Sequence, residues 1–317
     1  MTTSLSVGVA GAGVFGGHHA SKYHAHPHAQ LNAIFDIEVG KASALGARFN
    51  APTFSDFDKL LNSGLDALVI TTPASAHFEL AKRALHAGLH VFVEKPISID
   101  PKEADALIKT ASRNRLVLQV GHQERYVAAT AGLFDRKHPP VKIDCIRGTS
   151  ASGRCEDVSV IYDLMVHDID IVRKLTGADV KNVYASGNTH EATADLTLSN
   201  DTIVSLKASR RANAPQRRMT LVYEDGIIDF DFINREMNNT TPAAIGIDFG
   251  QKTGPLAFRD PLSFGADEFI NAIIEGRRPI VTGEDGRDAV AWAKLIEKTA
   301  GIANTQFESD LLERQRA

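Results

Sequence analysis

The sequence predicts an α/β protein of two domains. Residues 1–122 read as a doubly wound parallel sheet, and residues 123–317 as an α+β domain with a largely antiparallel open sheet. Three observations predict this. An apolar run, Val7 to Ala10, enters Gly11-x-Gly13-x-x-Gly16 and then a helix-like segment. Short apolar runs alternate with helical patterns as far as Val120, the order that builds a parallel sheet. Beyond Val120 the runs are separated by turn signals instead, the order that builds hairpins.

Bulk properties narrow the class. The chain has 317 residues, 43% hydrophobic and 23% charged, which suits a globular protein with more than one core. A net charge of -4 gives no general attraction to nucleic acid or to an anionic membrane surface. Two cysteines, Cys145 and Cys155, do not make a disulfide framework and read as reduced thiols of a cytoplasmic protein. No apolar run is long enough to span a bilayer, and the glycine-broken N-terminus reads as a first strand rather than a signal peptide.

Each glycine of the fingerprint has a physical task. Gly11 lets the chain turn out of the strand, Gly13 lets backbone N–H groups approach a pyrophosphate, and Gly16 lets the helix pack close to the sheet. The helix entered at Val14 and Phe15 adds partial positive charge where phosphates would sit. Strand two, Leu31 to Phe35, ends in Asp36, 20 residues past Gly16 and at the position of an acid that accepts from the adenosine ribose. A carboxylate there repels a 2′-phosphate, so NAD is expected in preference to NADP. His18, His19, His24, His26 and His28 crowd the next segment, but Pro27 breaks any ligand spacing and no metal is expected. Some of them, His19 especially, are expected to approach the cofactor's phosphates.

The rest of the first half follows the same alternation. Val39 to Phe49 is helical by the spacing of Ala42, Leu45 and Phe49, and Thr53-Phe54 is a short third strand. Asp66 to Thr71 is an apolar buried strand ending in Thr71-Thr72-Pro73; the next helix contains His77 and stops at Gly88. His90 to Val93 delivers Glu94-Lys95-Pro96 to the carboxyl end of the sheet, where ligands bind in open α/β folds. Asp100-Pro101 caps another helix, and Leu116 to Val120 closes the sheet.

In the second half, strands are expected around Lys142 to Ile146, Asp195 to Leu198, Thr202 to Leu206, Met219 to Val222 and Ile227 to Phe230, with turns at Asn200-Asp201 and Asp225-Gly226. One helix, about Ser159 to Thr176, carries Asp163, His167, Asp170 and Lys174 on a polar stripe opposite Ile161, Leu164, Val172 and Leu175. On spacing alone that stripe is equally an ordinary solvated face. Final helices are expected at Pro261 to Glu275 and from Arg287 to Ala303, at the domain junction or on the first domain.

Gly11-x-Gly13-x-x-Gly16, Thr71-Thr72-Pro73 with His77, Ala87-Gly88-x-His90-Val91-x-Val93-Glu94-Lys95-Pro96 and Gly121-His122-Gln123-Glu124-Arg125-Tyr126 together resemble the Gfo/Idh/MocA oxidoreductase family, from the first strand to the last helix. The resemblance implies NAD(P)-linked hydride transfer at a secondary carbinol of a sugar, cyclitol or sugar nucleotide. It implies a cofactor site that includes Gly11, Gly13, Val14, Phe15, Gly16, Asp36, Thr71, Thr72, Pro73, His77, Glu94, Lys95 and Gln123. Tyr162 to Asp168 is similar to the family's Asp-x-x-x-His, which faces the nicotinamide. The sheet of the second half implies a homodimer or homotetramer paired through one of its faces.

The chemistry expected from these residues needs no metal. His167 would take the hydroxyl proton, because imidazole titrates near neutral pH. Lys95 would bond the same oxygen, and Asp163 would orient either group or bond a neighbouring hydroxyl. Arg125, Tyr126 and Arg210 complete the expected substrate contacts. Arg210, Arg211, Arg217 and Arg218 read either as solvated loop charges or as a diphosphate site. Asp157 to Asp170, the arginine segment and Pro279 to Gly286 resemble bacterial sugar-nucleotide 3-dehydrogenases of the kind acting on UDP-N-acetylglucosamine, although Gly121 to Tyr126 lacks the usual Phe-Asn-Pro continuation. Other readings on the same fold are a redox-silent NAD-binding sensor, an inositol or simple-sugar dehydrogenase, and an NAD-assisted glycoside hydrolase.

Overall fold

The computed structural model describes residues 4–150, 157–250 and 252–302. They fall into two compact units. One comprises residues up to Gly121 together with Leu262–Arg287; the other comprises His122–Pro261 and residues from Asp288 on.

The first unit alternates as its sequence predicts: β1 (Leu5–Ala10), α1 (Val14–Ala25), β2 (Ala29–Phe35), α2 (Val39–Phe49), β3 (Thr53–Phe54), α3 (Phe57–Leu61), β4 (Ala67–Ile70), α4 (Ala74–His86), β5 (His90–Val93), α5 (Pro101–Asn114) and β6 (Leu118–Val120). The strands are parallel in the order β3-β2-β1-β4-β5-β6. The order reverses between β1 and β4, which puts a ligand crevice beyond their carboxyl ends. Helix covers both faces, so β4 is buried at every residue and has no polar side to alternate with. Val7, Val9, Ile34, Val69 and Phe92 pack with Ala20 and Tyr23 of α1 in one core.

β6 is shorter than its apolar run. The Val117 amide donates to Nδ1 of His90 at 2.9 Å, so ladder pairing begins at Leu118. The stop signals act as expected: Asp100 caps α5 by accepting from the Lys102 amide at 2.9 Å, and Gly88 follows α4 with φ +85°.

The second unit contains α6 (Glu124–Thr130), β7 (Lys142–Gly148), a π-helical turn (Ile161–Met165), α7 (Val166–Thr176), β8 (Val180–Gly187), β9 (Glu191–Leu198), β10 (Ile203–Ser209), β11 (Gln216–Tyr223), β12 (Gly226–Asp231), β13 (Glu236–Asn239) and α8 (Leu256–Arg259). Its sheet runs β13-β12-β11-β7-β10-β9-β8, antiparallel throughout except for the β7–β10 pair. Alternation sends Ile143, Cys145, Leu196, Val204, Leu206, Met219, Leu221 and Phe230 inward. The π turn packs on β7 and β10. β8 and β13 were not foreseen: they are polar edge strands with no clean apolar alternation. Burial raises the Cys145 thiol well above its ordinary pKa; Cys155 lies outside the described residues.

Two helices differ from expectation. The helix foreseen from Ser159 to Thr176 is not regular: its first part is the π turn, which holds Asp163, and α7 starts only at Val166. The last helix starts earlier than Arg287. After α9 (Pro261–Glu275), α10 runs Gly283–Thr299. Thr282 and Asp285 cap it reciprocally: the Thr282 amide donates to Asp285 Oδ2 at 2.8 Å and the Asp285 amide to Thr282 Oγ1 at 3.2 Å. Within the first unit, Phe269 of α9 packs edge-on against Phe92 at 5.9 Å, and the Gly265 carbonyl accepts from Gln119 Nε2 at 2.8 Å.

Candidate functional site

The glycine loop is fixed from two neighbouring strands. Gly11 turns with φ +102°, and its amide donates to the Phe35 carbonyl at 2.8 Å. The Thr71 hydroxyl donates to the Ala10 and Gly11 carbonyls, both at 3.0 Å. A Cβ at Gly16 would stand 1.7 Å from the Gly11 oxygen, so the helix can approach the loop only with glycine there. A Cβ at Gly13 would meet nothing within 4 Å. That open space lies where α1 begins, with Gly13 as a cap that offers no side-chain oxygen and no acid in the first turn. Val14 and Phe15 are exposed beside it. These residues fit a dinucleotide: free first-turn amides for the pyrophosphate and a side-chain-free approach.

Asp36 joins this loop to the end of β2. Its Oδ2 accepts from the Ala12 amide at 2.8 Å and its Oδ1 from the Glu38 amide at 2.9 Å. An ionised carboxylate has about four acceptor sites, so these bonds orient it and leave capacity for a ribose hydroxyl.

His19 and His77 were expected at the cofactor; the structure gives both rings protein partners. His19 is fully buried and bonds Glu94 Oε1 at 2.8 Å. Burial pushes the Glu94 carboxyl up, but the hydrogen bond and charge of His19, with the charge of Lys95, outweigh burial and hold it below the ordinary carboxylate range. Buried His77 sits between two carbonyls, Pro96 O at 2.7 Å from Nδ1 and Thr72 O at 2.9 Å from Nε2. It thereby ties the turn that starts α4, where Pro73 is the cap, to the turn that carries Lys95. Lys95 is half-buried directly past β5.

In the second unit the predicted polar stripe is largely an inside surface. Asp163 Oδ2 accepts from Arg210 Nε at 2.9 Å. Asp170 takes the Arg125 guanidinium through two bonds, one of them from Nε at 2.9 Å, and both residues are buried. Only Lys174 of the stripe is exposed. Half-buried His167 has its Nδ1 shielded from solvent and meets the ring of buried His122 edge-to-face at 6.4 Å. The next residue, Asp168, accepts from Arg147 at 2.9 and 2.7 Å, and Arg147 also holds Glu124 at 2.9 Å. Burial opposes the Arg147 charge, and the facing carboxylates of Asp168 and Glu124 outweigh it. Tyr126 is buried and Gln123 half-buried at the start of α6.

The arginine segment is mostly matched inside the chain. Arg217 bonds Glu124 at 3.1 Å and Arg218 bonds Asp229 at 2.8 Å, so with Arg210 on Asp163 three of the four have carboxylate partners. Neither His122 beside His167 nor Arg147 and Glu124 beside Asp168 follows from the sequence, since no spacing rule links positions that meet only through the tertiary fold.

Known proteins match both units. Residues 5–122 match the family described as "Oxidoreductase family, NAD-binding Rossmann fold", and residues 134–229 match the GFO/IDH/MocA C-terminal domain. The UDP-N-acetylglucosamine 3-dehydrogenase of Acidithiobacillus ferrooxidans is 36% identical over 305 residues, 92% of this chain and 96% of that protein. Its solved structure superposes with a TM-score of 0.85, covering 93% of this chain and 97% of that one. The inositol 2-dehydrogenase of Rhizobium meliloti is 26% identical over 313 residues, 92% of this chain and 95% of that protein. The scyllo-inositol dehydrogenase of Lactobacillus casei, solved with NAD(H) and scyllo-inositol, shares the fold at 22% identity with a TM-score of 0.79, covering 94% of this chain and 97% of that one. The glycine loop, the acid ending β2 and the matches over both units make this chain a member of the Gfo/Idh/MocA family of NAD-dependent oxidoreductases.

Proposed function

We propose that this protein oxidises a secondary carbinol of a nucleotide sugar, with UDP-N-acetylglucosamine and its 3-hydroxyl as the best-supported substrate and position. The observation that carries this reading is the likeness to the Acidithiobacillus ferrooxidans enzyme, which extends over both units and nearly the full length of each chain.

NAD, bound at Gly11, Gly13, Val14, Phe15, Gly16 and Asp36, with Thr71, Thr72, Pro73, Glu94 and Gln123 as further contacts, supplies a hydride acceptor. The chain's residues handle the proton and the charge. His167 takes the hydroxyl proton as the hydride leaves the carbon, and returns it in the reverse direction. The Lys95 ammonium donates to the same oxygen and stabilises its alkoxide character, or polarises the carbonyl during reduction. Asp163 bonds a neighbouring hydroxyl. Arg125 and Tyr126 of α6 are further substrate contacts.

The family's inositol dehydrogenases make a cyclitol the second reading. Following nicotinamide reduction with UDP-N-acetylglucosamine, other UDP-sugars and myo-inositol separates the two. Turnover with UDP-N-acetylglucosamine supports the proposal, whereas turnover confined to cyclitols rejects it. Two copies would pair through the outer face of the second sheet, where Ile146, Tyr184, Ile203 and Ile227 are exposed. Among the described residues no helix is long and apolar enough to cross a membrane. The reaction is assigned to the cytoplasm, the compartment of its cofactor and of reduced thiols.

A further inference from the structure

Arg210 follows β10 directly and is only 7% exposed. Its guanidinium is directed into its own unit. Nε donates to Asp163 Oδ2 at 2.9 Å, Nη2 to the Val158 carbonyl at 2.8 Å, and Nη1 reaches the Thr189 carbonyl at 3.5 Å. The surrounding backbone closes the same knot. The Arg210 amide donates to His190 O and the Val160 amide to Thr189 O, both at 2.9 Å. One side chain therefore joins the end of β10, the turn before β9 and the entry to the π turn.

Asp163 sits in the middle of that π turn. A π turn is wider than an α turn and marks a place where tertiary contacts override the regular ladder, often at a functional site. Arg210 supplies such contacts at both levels. It bonds a backbone carbonyl at the entry and the carboxylate in the middle. A charge-assisted bond of this kind fixes the direction of the carboxylate.

We propose that Arg210 is a positioning residue for Asp163, holding the carboxylate in place at the π turn, and that it does not bind the substrate's diphosphate. This rests on the reading that Asp163 and His167 serve the carbinol chemistry. The two roles for Arg210 differ in what they move. A diphosphate ligand contributes to substrate affinity, so its loss raises KM. A positioning residue acts on the reacting geometry, so its loss lowers kcat.

The test compares the full-length protein with Arg210→Ala, Arg210→Lys and Asp163→Asn. It measures kcat and KM for UDP-N-acetylglucosamine, and UDP affinity by calorimetry. Arg210→Ala is expected to lower kcat about 10- to 100-fold with KM and UDP affinity within about twofold of wild type. Free guanidinium ion should restore part of that loss, and adding Asp163→Asn to Arg210→Ala should cost little more than either change alone. A tenfold loss of UDP affinity or rise in KM with kcat kept, or unchanged kinetics, overturns the proposal. If Arg210→Ala does not fold, the same comparison is made with Arg210→Lys, which keeps the charge but loses the fork. Absence of turnover in the wild type would count against the proposed substrate instead. UDP affinity would then still decide the role of Arg210: a tenfold loss in the variant overturns the positioning role and unchanged affinity supports it.

Discussion

The His19 imidazole and the Glu94 carboxylate meet at 2.8 Å inside the first unit, tying the middle of α1 to the end of β5. This pair sits between the glycine loop and Lys95 in the chain's order of elements, and it sets an acid-side limit to stability. Because the Glu94 carboxyl is held below its ordinary value of 4.5, its contribution is fully present above that value and is lost as pH falls through the lower, folded one. His19→Leu should destabilise the protein by about 3–5 kcal/mol near neutral pH, since it takes the imidazole from a buried charge. Burial should then dominate and lift the Glu94 carboxyl, so the gap between variant and wild type should narrow on acidification. Denaturant titrations at neutral pH and near pH 4.5 check both statements; a constant gap would show that Glu94 is not what is being titrated.

Gly13 and Gly16 should separate binding from folding. A Cβ at Gly13 meets no protein atom, so Gly13→Ala should melt like wild type while losing NAD affinity. A Cβ at Gly16 would collide with the Gly11 carbonyl, so Gly16→Ala should lower both melting temperature and affinity. Thermal melts with and without NAD distinguish the two.

Asp36 should govern cofactor choice. Asp36→Asn removes the charge but keeps the side chain's length. NAD affinity should fall by about tenfold or more, the worth of a hydrogen bond to a charged group, and the discrimination against NADP should shrink. Fluorescence titrations with both reduced cofactors measure this. Unchanged preference would mean that the 2′-hydroxyl is recognised elsewhere.

Arg125 and Asp170 should behave as one buried unit. Arg125→Met leaves Asp170 without its guanidinium and should cost about 3–5 kcal/mol, whereas Arg125→Met with Asp170→Leu should recover much of that loss. Chemical denaturation of the three proteins gives the coupling. Additive losses would show that the two side chains act independently.

The first unit was legible because its devices are local. Glycines at fixed offsets, an acid ending β2, Gly88 past α4 and Asp100-Pro101 before α5 each act within a turn or two of the chain. The hairpin turns at Asp201, φ +64°, and Gly226, φ +146°, were readable for the same reason. What local reading could not see was pairing at long range. The same histidine-rich segment that suggested phosphate contacts sends His19 to a carboxylate 75 residues away. A polar stripe reads as solvated until Arg125 and Arg210 arrive from other elements to bury it. The π turn was invisible because its residues, Ile161 to Met165, carry an ordinary helical pattern.

Lys95 and His167 are proposed to act together on one carbinol while NAD is held chiefly by the glycine loop and Asp36. Single-turnover assays of wild type, Lys95→Ala and His167→Ala with NAD and UDP-N-acetylglucosamine test it most directly, alongside NAD binding to each protein. Wild type is expected to reduce the nicotinamide rapidly and each variant to lose about 1,000-fold or more, with NAD dissociation constants little changed. Near-wild-type reduction by either variant would contradict it.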